Sequence, residues 1–208
     1  MTRQIKPVEN NQEKYETYRA LKGRYAKAMH YGFYFEAMLI DYALLEDRLR
    51  SFLYHAGALA NRESFKINAQ RTKTVIKDIL RKYKRDGEND SIGIVNISGK
   101  IKVVRSILRW SSETAEVYEE RYPKALKNQC ESLDAQALLE TLDHIREWCD
   151  YRNEVIHAAL NKNIESLYSD LEEKAVEGKQ YADYIDSQIR ILKKGNKVRK
   201  AANLVVEK

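Results

Sequence analysis

The fold class follows from residues 34–57, YFEAMLIDYALLEDRLRSFLYHAG. Apolar side chains recur there every three or four residues, the spacing that places them on one face of an α-helix. This face consists of Tyr34, Met38, Tyr42, Leu45, Leu49, Phe52 and Ala56. Gly57 predicts the end of the helix, because glycine readily adopts the left-handed conformation that terminates helices. Asp41 falls within the apolar face, so we expect it to pair with an arginine, since an unpaired buried carboxylate is costly.

The same helical spacing recurs along most of the chain. Helices are predicted at about 8–30, 34–56, 68–85, 100–111, 134–160 and 164–192, with a less regular segment at 112–131. The 208 residues include only eight glycines and two prolines, fewer turn residues than a sandwich, a barrel or a doubly wound sheet needs. The sequence therefore predicts an all-α fold, a single-domain bundle of six or seven helices over residues 1–192.

Common functional motifs are missing from the chain. It contains no glycine-rich phosphate loop, no nucleophile elbow and no pair of histidines at zinc-binding spacing. The two cysteines, Cys130 and Cys149, lack a CxxC spacing, so we expect reduced thiols, no metal and no cofactor. Apolar runs stop at about four residues, whereas a membrane span needs roughly 20. The first residues lack the apolar core of a signal peptide, so we expect a cytoplasmic protein with no membrane partner.

Positive charge is concentrated in two segments of this chain, whose net charge is +6. Residues 62–85 contain nine basic and two acidic residues, and residues 190–208 contain seven basic residues and one acidic residue. Such segments suit a polyanion such as RNA, because each phosphate contact releases counterions. The alternative is a solvated helix face and a frayed chain end. We predict a basic, mobile tail at 193–208, in which the candidate RNA-binding residues are Lys193, Lys194, Lys197, Arg199 and Lys200.

The helix predicted at 134–160 interrupts its own apolar face with polar side chains. That face consists of Leu138, Leu142, Ile145, Cys149, Ile156 and Leu160. Arg152 lies within it, while Asn153 and His157 lie together near its opposite edge. Polar groups at core positions are expensive, and such exceptions concentrate at functional sites, so these three are the candidate catalytic residues. The alternative is structural: Arg152 pairs with Asp41 or Glu46, and His157 caps a carbonyl.

The segment YRNEVIHAAL, residues 151–160, resembles the Arg-x(4–6)-His signature of HEPN domains, in which Asn, Asp or His commonly follows the arginine. HEPN domains are all-helical, and many are metal-independent ribonucleases of toxin–antitoxin, abortive-infection or CRISPR-linked systems that act as dimers. The resemblance implies an RNA substrate, a homodimer, and a protein antitoxin as a further partner. Arg50 and His55 have the same spacing, but Ser51 follows Arg50 in place of Asn. Residues 58–131, with a basic helix and a glycine-containing loop, are interpreted as an insert that is atypical of the family.

The chemistry of the three candidates fits RNA cleavage without a metal. Histidine titrates near neutral pH, so His157 can act as general base or acid. Arg152 carries a fork of donors that matches phosphate oxygens, and Asn153 can orient the imidazole or hold a phosphate oxygen. On a straight helix Arg152 and His157 point about 140° apart, so a two-fold partner would complete each site. The chain is therefore predicted to be an endoribonuclease that cleaves single-stranded RNA through its 2′-hydroxyl; the alternative is a non-catalytic helical module that binds RNA or protein or mediates dimerisation.

Overall fold

The all-α prediction is confirmed by the computed structural model, which describes residues 11–158, 161 and 169–206. Within these residues the chain forms eight α-helices and no β-strand. They are α1 (Asn11–His30), α2 (Tyr34–His55), α3 (Lys73–Tyr83), α4 (Ile97–Glu113), α5 (Arg121–Cys130), α6 (Ala135–Ala158), α7 (Leu171–Leu192) and α8 (Lys197–Ala201). A 3₁₀ turn, Lys194–Asn196, joins the last two. The predicted start of the last long helix, at residue 164, lies outside the described residues.

Helix α2 is the centre of the bundle and packs against α1, α4 and α7. Its predicted apolar face is confirmed, since Met38, Leu45, Leu49 and Phe52 are fully buried. The helix ends two residues before Gly57, whose φ of +75° is the left-handed conformation expected of a helix terminator. The same spacing of apolar residues that predicted the helix therefore also determines which side of it meets its neighbours.

The directions of the long helices divide the bundle into two ends. Helices α2 and α7 are parallel, because Tyr34 interacts with Glu172 near their starts and Arg48 pairs with Asp186 further along both. Helix α1 is antiparallel to α2, to which a three-residue turn joins it. The turn between α1 and α2 and the start of α7 therefore lie at one end of the bundle.

Helix α6 is antiparallel to α7. The indole Nε1 of Trp148 donates to the carbonyl oxygen of Lys174 (2.6 Å), and the backbone N–H of Asp134 donates to Oε1 of Gln188 (3.3 Å). The C-terminus of α6 thus lies beside the start of α7 and the α1–α2 turn, and we call this the His157 end. The opposite end, where α2 and α7 finish and α8 lies, is the Arg199 end.

Residues 58–131 are part of the bundle, since α4 packs against α2, α3 and α6. Val103, Val104, Ile107 and Leu108 of α4 are all buried. Helix α3 begins at Lys73 and not at 68 as predicted, because the preceding residues form a loop that the Thr72 hydroxyl holds by donating to the carbonyl oxygen of Gly57 (2.6 Å). The segment that the sequence marks as an insert thus supplies a core helix.

The prediction of a mobile basic tail is wrong for the residues described, 193–206. The segment folds back as the 3₁₀ turn and α8, and α8 packs against α5. Val198, Arg199 and Ala202 are buried. Val198 and Ala202 are four residues apart, so both face the same side of this turn and anchor the basic segment to the bundle. Residues 207 and 208 of the predicted tail lie outside the described residues.

The prediction that Asp41 faces an arginine is also wrong. Asp41 is fully buried, and neither of its carboxylate oxygens has a hydrogen-bond partner among the described residues. The backbone of Gly178 and the ring of Trp148 close over it: a methyl group added at Gly178 would lie 3.1 Å from Cβ of Asp41 and 2.6 Å from the indole. Burial raises the pKa of Asp41 to about 8, with Lys179 opposing the shift. The side chain is therefore mainly protonated at pH 7.

Both cysteines are buried free thiols, as predicted, and burial raises the pKa of each to about 12. In the described ranges no three His, Cys, Asp or Glu side chains come together as a possible metal site. None of the helices described has both the length and the apolar character required to cross a bilayer.

Candidate functional site

The last two turns of α6 present the candidate catalytic residues at the His157 end. Val155 and Ala158 are buried and hold this part of the helix against the bundle, whereas Asn153 and His157 are exposed. Residues four apart are neighbours on a helix surface, so Asn153 and His157 occupy adjacent positions on α6. The imidazole makes no hydrogen bond to any described residue, so both ring nitrogens are available to a ligand.

Arg152 is half-buried and oriented by two neighbours. Its guanidinium carbon lies 4.1 Å from the centroid of the Tyr42 ring, within the range of a cation–π contact. Nη1 donates to Oδ1 of Asn153 (2.9 Å), while Nε is buried and has no acceptor among the residues described. The ring and the amide therefore orient the guanidinium, and they leave part of its donor capacity unused.

The structural alternative for Arg152, an ion pair with α2, is wrong. Both oxygens of Asp41 are unbonded, as described above, and the carboxylate of Glu46 accepts instead from Nζ of Lys100 (2.8 Å) and Nη2 of Arg50 (3.4 Å). Arg152 does contact α2, but through the face of Tyr42 and not through a carboxylate. Its positive charge is therefore not neutralised by any ion pair within the part of the chain that the structure describes.

The bond to Asn153 reduces the angular separation that the helix imposes on Arg152 and His157. The two positions are about 140° apart around α6, as the sequence predicts. The guanidinium of Arg152 bonds to Asn153, and Asn153 is one helical turn from His157 on the same side of α6. One edge of α6 thus presents the guanidinium, the amide and the imidazole in succession.

The competing pair with the same spacing, Arg50 and His55, does not form a comparable site. His55 is buried with its ring edge against Tyr54, and burial together with the nearby Arg62 lowers the pKa of His55 to about 3. Arg50 is bonded to Glu46 and to the carbonyl oxygen of Arg62 (3.3 Å). The two Arg-x4-His pairs therefore differ in exposure, because His157 is exposed whereas His55 is buried.

Arg199, predicted to bind RNA, is not accessible to it. Its side chain is 1% exposed, and its guanidinium stacks on the Tyr54 ring at 3.5 Å. All five N–H donors bond backbone carbonyl oxygens, at 2.6–3.0 Å, of Tyr54, Leu59, Ala60 and Val205. Arg199 thus ties the end of α2 to the C-terminal segment, and its assignment to RNA is corrected to a structural one.

The four remaining candidates for RNA binding, Lys193, Lys194, Lys197 and Lys200, are exposed. They lie at the Arg199 end, far from the candidate catalytic residues. Twelve residues of α2 separate Tyr42, which contacts Arg152, from Tyr54, which contacts Arg199, and this corresponds to a rise of about 18 Å. The structure therefore does not bring the two predicted sets together.

One feature that the sequence analysis missed is a cleft of about 440 Å³ between α6 and α7. It is lined by His144, Glu147, Trp148, Tyr151, Lys174, Glu177 and Tyr181. Nζ of Lys174 donates to Glu177 (2.8 Å), and this bond raises the pKa of Lys174. The spacing of His144, Trp148 and Tyr151 predicts a shared face, but the antiparallel register of α6 and α7, which completes the cleft, is not visible in the sequence.

Comparisons with known proteins leave this site to be interpreted from its own residues. No protein-family model matches the chain, and neither a curated protein nor a solved structure matches it at a significant level. The strongest feature is the exposed pair of Asn153 and His157, with the oriented guanidinium of Arg152 beside it.

Proposed function

We propose that this chain is a metal-independent endoribonuclease of the HEPN type, a cytoplasmic toxin or defence-system component that cleaves single-stranded RNA. The observation that carries the proposal is the edge of α6 on which Arg152, Asn153 and His157 follow one another. Their surroundings support a functional role, because Arg152 has no carboxylate partner and the His157 imidazole no hydrogen bond among the described residues.

The reaction uses groups that these side chains can supply. A base removes the proton of the 2′-hydroxyl, the 2′-oxygen attacks phosphorus, and the 5′-oxygen leaves with a proton, which produces a 2′,3′-cyclic phosphate. His157 transfers a proton, and Arg152 binds the non-bridging oxygens as negative charge grows on them. Asn153 holds the guanidinium in place through its Oδ1. DNA lacks the 2′-hydroxyl, so the proposed substrate is RNA.

A homodimer is part of the proposal. One imidazole does not act as both base and acid within a single cleavage step, whereas a second copy across a two-fold axis contributes its own His157 and Arg152. Asn153 and His157 are exposed at the His157 end, where a second copy has access to them. A protein antitoxin that covered this end would inhibit cleavage.

Cleavage of labelled single-stranded RNA in the presence of EDTA tests the proposal. We expect His157→Ala and Arg152→Ala to lower the rate by about 10²–10⁴, which is typical for loss of an acid–base group or an oxyanion ligand. His144→Ala and Arg146→Ala are matched controls, since both residues are exposed on the same helix but lie at least six residues before Arg152. Circular dichroism and thermal unfolding show whether each variant is folded. Wild-type protein without EDTA-resistant cleavage, or full activity of folded His157→Ala, contradicts the proposal.

A non-catalytic RNA-binding module is the second candidate. The observation that favours it is the group of four exposed lysines at the Arg199 end, Lys193, Lys194, Lys197 and Lys200, remote from the C-terminal turns of α6 that carry the candidate catalytic residues. This candidate predicts RNA binding that these lysines control and no EDTA-resistant cleavage. The same cleavage assay, combined with a binding measurement, therefore separates the two.

A further inference from the structure

Helix α1 carries four exposed cations that no carboxylate of the described residues neutralises. Between Glu16 and Glu36 the sequence has four basic residues, Arg19, Lys22, Arg24 and Lys27, and no acidic residue. All four are exposed, and no carboxylate of the described residues lies within 4.0 Å of any of their charged nitrogens. Lys100 and Arg105 of α4, by contrast, are each paired with a carboxylate.

The spacing of these residues is unfavourable for the helix itself. Arg19 with Lys22, and Arg24 with Lys27, stand three residues apart, where like charges destabilise a helix by about 0.2–0.5 kcal/mol per pair. The helix dipole favours a cation in the last turn, which accounts for Lys27 only. Arg19 and Lys22 lie too far from the C-terminus of α1 for that effect. A polyanion bound along α1 would offset this repulsion, because its phosphates attract the cations.

Two aromatic rings project into solvent where α1 ends. Tyr31 is 66% exposed and Phe33 is 57% exposed, and their ring centroids are 6.2 Å apart. Gly32 between them has a φ of +72°, which permits the tight turn that points both rings away from the core. Exposed rings next to cations are the combination with which proteins bind single-stranded nucleic acid, because rings stack on bases while cations contact phosphates.

We call these six residues the α1 surface: Arg19, Lys22, Arg24, Lys27, Tyr31 and Phe33. Its aromatic end lies at the same end of the bundle as the candidate catalytic residues. The turn that carries Tyr31 and Phe33 belongs to the His157 end. Tyr34 begins α2 directly after it, and Tyr42, which contacts Arg152, follows eight residues later, a rise of about 12 Å. Because α6 runs antiparallel to α2, His157 lies nearer to this turn along the bundle axis than Arg152 does.

We infer that the α1 surface is the docking surface for the substrate strand. Phosphates of single-stranded RNA contact Arg19, Lys22, Arg24 and Lys27, and bases stack on Tyr31 and Phe33 before the strand reaches α6. The choice of RNA rests on the proposed function, whereas the charge and the exposed rings belong to α1 itself. The RNA-facing surface then lies toward the end of the bundle that holds His157, and not at the C-terminal lysines.

The test measures binding of a short fluorescent single-stranded RNA of mixed sequence to the His157→Ala protein, which does not cleave it on the proposed mechanism. Replacing the four α1 cations with Gln is expected to weaken binding at least tenfold. The slope of log K against log salt should fall by about 0.7 for each phosphate that the variant no longer neutralises. Tyr31→Ala with Phe33→Ala should weaken binding by about 5- to 100-fold and leave that slope unchanged, because stacking carries no counterion release.

The matched comparison replaces Lys193, Lys194, Lys197 and Lys200 with Gln, which removes the same charge at the Arg199 end. A larger loss of affinity from the α1 variant supports the inference. An equal or larger loss from the C-terminal variant overturns it, as does tighter binding of polyglutamate than of RNA at the same salt, which would indicate an acidic protein partner. If RNA binding depends on α1 but wild type shows no EDTA-resistant cleavage, the docking surface stands and the nuclease proposal is refuted. The opposite result is also possible. If wild type cleaves subsaturating RNA and neither α1 variant slows this cleavage, the nuclease proposal stands and the docking surface is refuted.

Discussion

Two arginine–tyrosine stacks lie on the same helix, one toward each end of the bundle, and they have different properties. Arg152 covers the ring of Tyr42 at 4.1 Å, and Arg199 covers the ring of Tyr54 at 3.5 Å. Arg199 is 1% exposed and uses all five donors on backbone carbonyl oxygens. Arg152 is half-buried, and among the described residues it has one acceptor, Oδ1 of Asn153.

The difference shows which arginine can bind a ligand. A guanidinium has five N–H donors, and each one that is already bonded within the protein is not available to a phosphate. The donors of Arg199 are all used to hold the chain, so its removal should affect folding. Those of Arg152 are mostly unused, so its removal should affect chemistry. The sequence assigned both arginines to RNA, Arg152 as a catalytic phosphate ligand and Arg199 as part of the basic C-terminal segment.

The largest expected effect is on stability and comes from Arg199→Lys. Lysine keeps the charge but offers a compact ammonium in place of the planar fork, so several buried carbonyl oxygens lose their donor. Hydrogen bonds to charged groups contribute roughly 1.5–3 kcal/mol each, so we expect the free energy of unfolding to fall by about 3–5 kcal/mol. Urea denaturation followed by circular dichroism measures it.

Arg152→Lys is the matched variant at the other stack. We expect it to change the free energy of unfolding by less than about 1 kcal/mol, since it removes one exposed hydrogen bond and a partly exposed cation–π contact. RNA cleavage should nevertheless fall strongly, because lysine cannot reproduce the bidentate donor geometry. If Arg199→Lys were as stable as wild type, or if Arg152→Lys were the more destabilised of the two, the assignment of structural and functional roles to the two stacks would be reversed.

A smaller effect is expected on the pH dependence of stability, where two carboxylates of α2 differ: Asp41, next to the Tyr42 stack, and Asp47. The raised pKa of Asp41 means that the native state holds its proton up to about pH 8, whereas the unfolded chain releases it near pH 4. Between about pH 4 and pH 8 the native state therefore holds one more proton than the unfolded chain, so Asp41 lowers the free energy of unfolding increasingly as the pH rises. Asp41→Asn removes this cost, so at pH 8 we expect the variant to be more stable than wild type by about 1–3 kcal/mol, with the difference decreasing toward pH 4.

Asp47→Asn provides the control of opposite sign. Burial acts to raise the pKa of Asp47, but Lys14, whose Nζ lies 2.9 Å from Oδ1, and the Tyr18 hydroxyl outweigh it and lower that pKa. Ionised Asp47 therefore stabilises the native state at any pH above the pKa that this carboxyl has in the unfolded chain. The stabilisation is lost as the pH falls through the lower pKa that it has in the native state. The difference between wild type and Asp47→Asn should shrink on acidification. Stability curves for Asp41→Asn and wild type that run parallel from pH 4 to 8 would show that Asp41 ionises normally in the native state.

The sequence predicted the fold better than the surfaces. Helical spacing and scarce glycine were enough for α2 and for the bundle, since burial of apolar faces decides both. The exposure of Asn153 and His157 differs from the sequence interpretation, which treated both as polar interruptions of the apolar face of α6. The position of Arg199 could not be predicted in this way, because it depends on carbonyl oxygens distant in sequence. The α1 surface has no comparable charge run in the sequence, because Glu13 and Glu16 lie close to its four basic residues.

The smallest expected effect tests whether Tyr42 orients Arg152. Tyr42→Leu removes the ring but keeps a large apolar side chain, so the guanidinium loses a cation–π contact that contributes about 0.5–1 kcal/mol at a partly exposed position. We expect the cleavage rate at saturating RNA to fall by about two- to fivefold, because the guanidinium is less often oriented toward the scissile phosphate. Tyr42→Phe keeps the ring and should restore the wild-type rate, which distinguishes orientation of Arg152 from a role of the hydroxyl. If the Leu and Phe variants cleave at the same rate, the ring does not position Arg152, and the bond to Asn153 alone orients it.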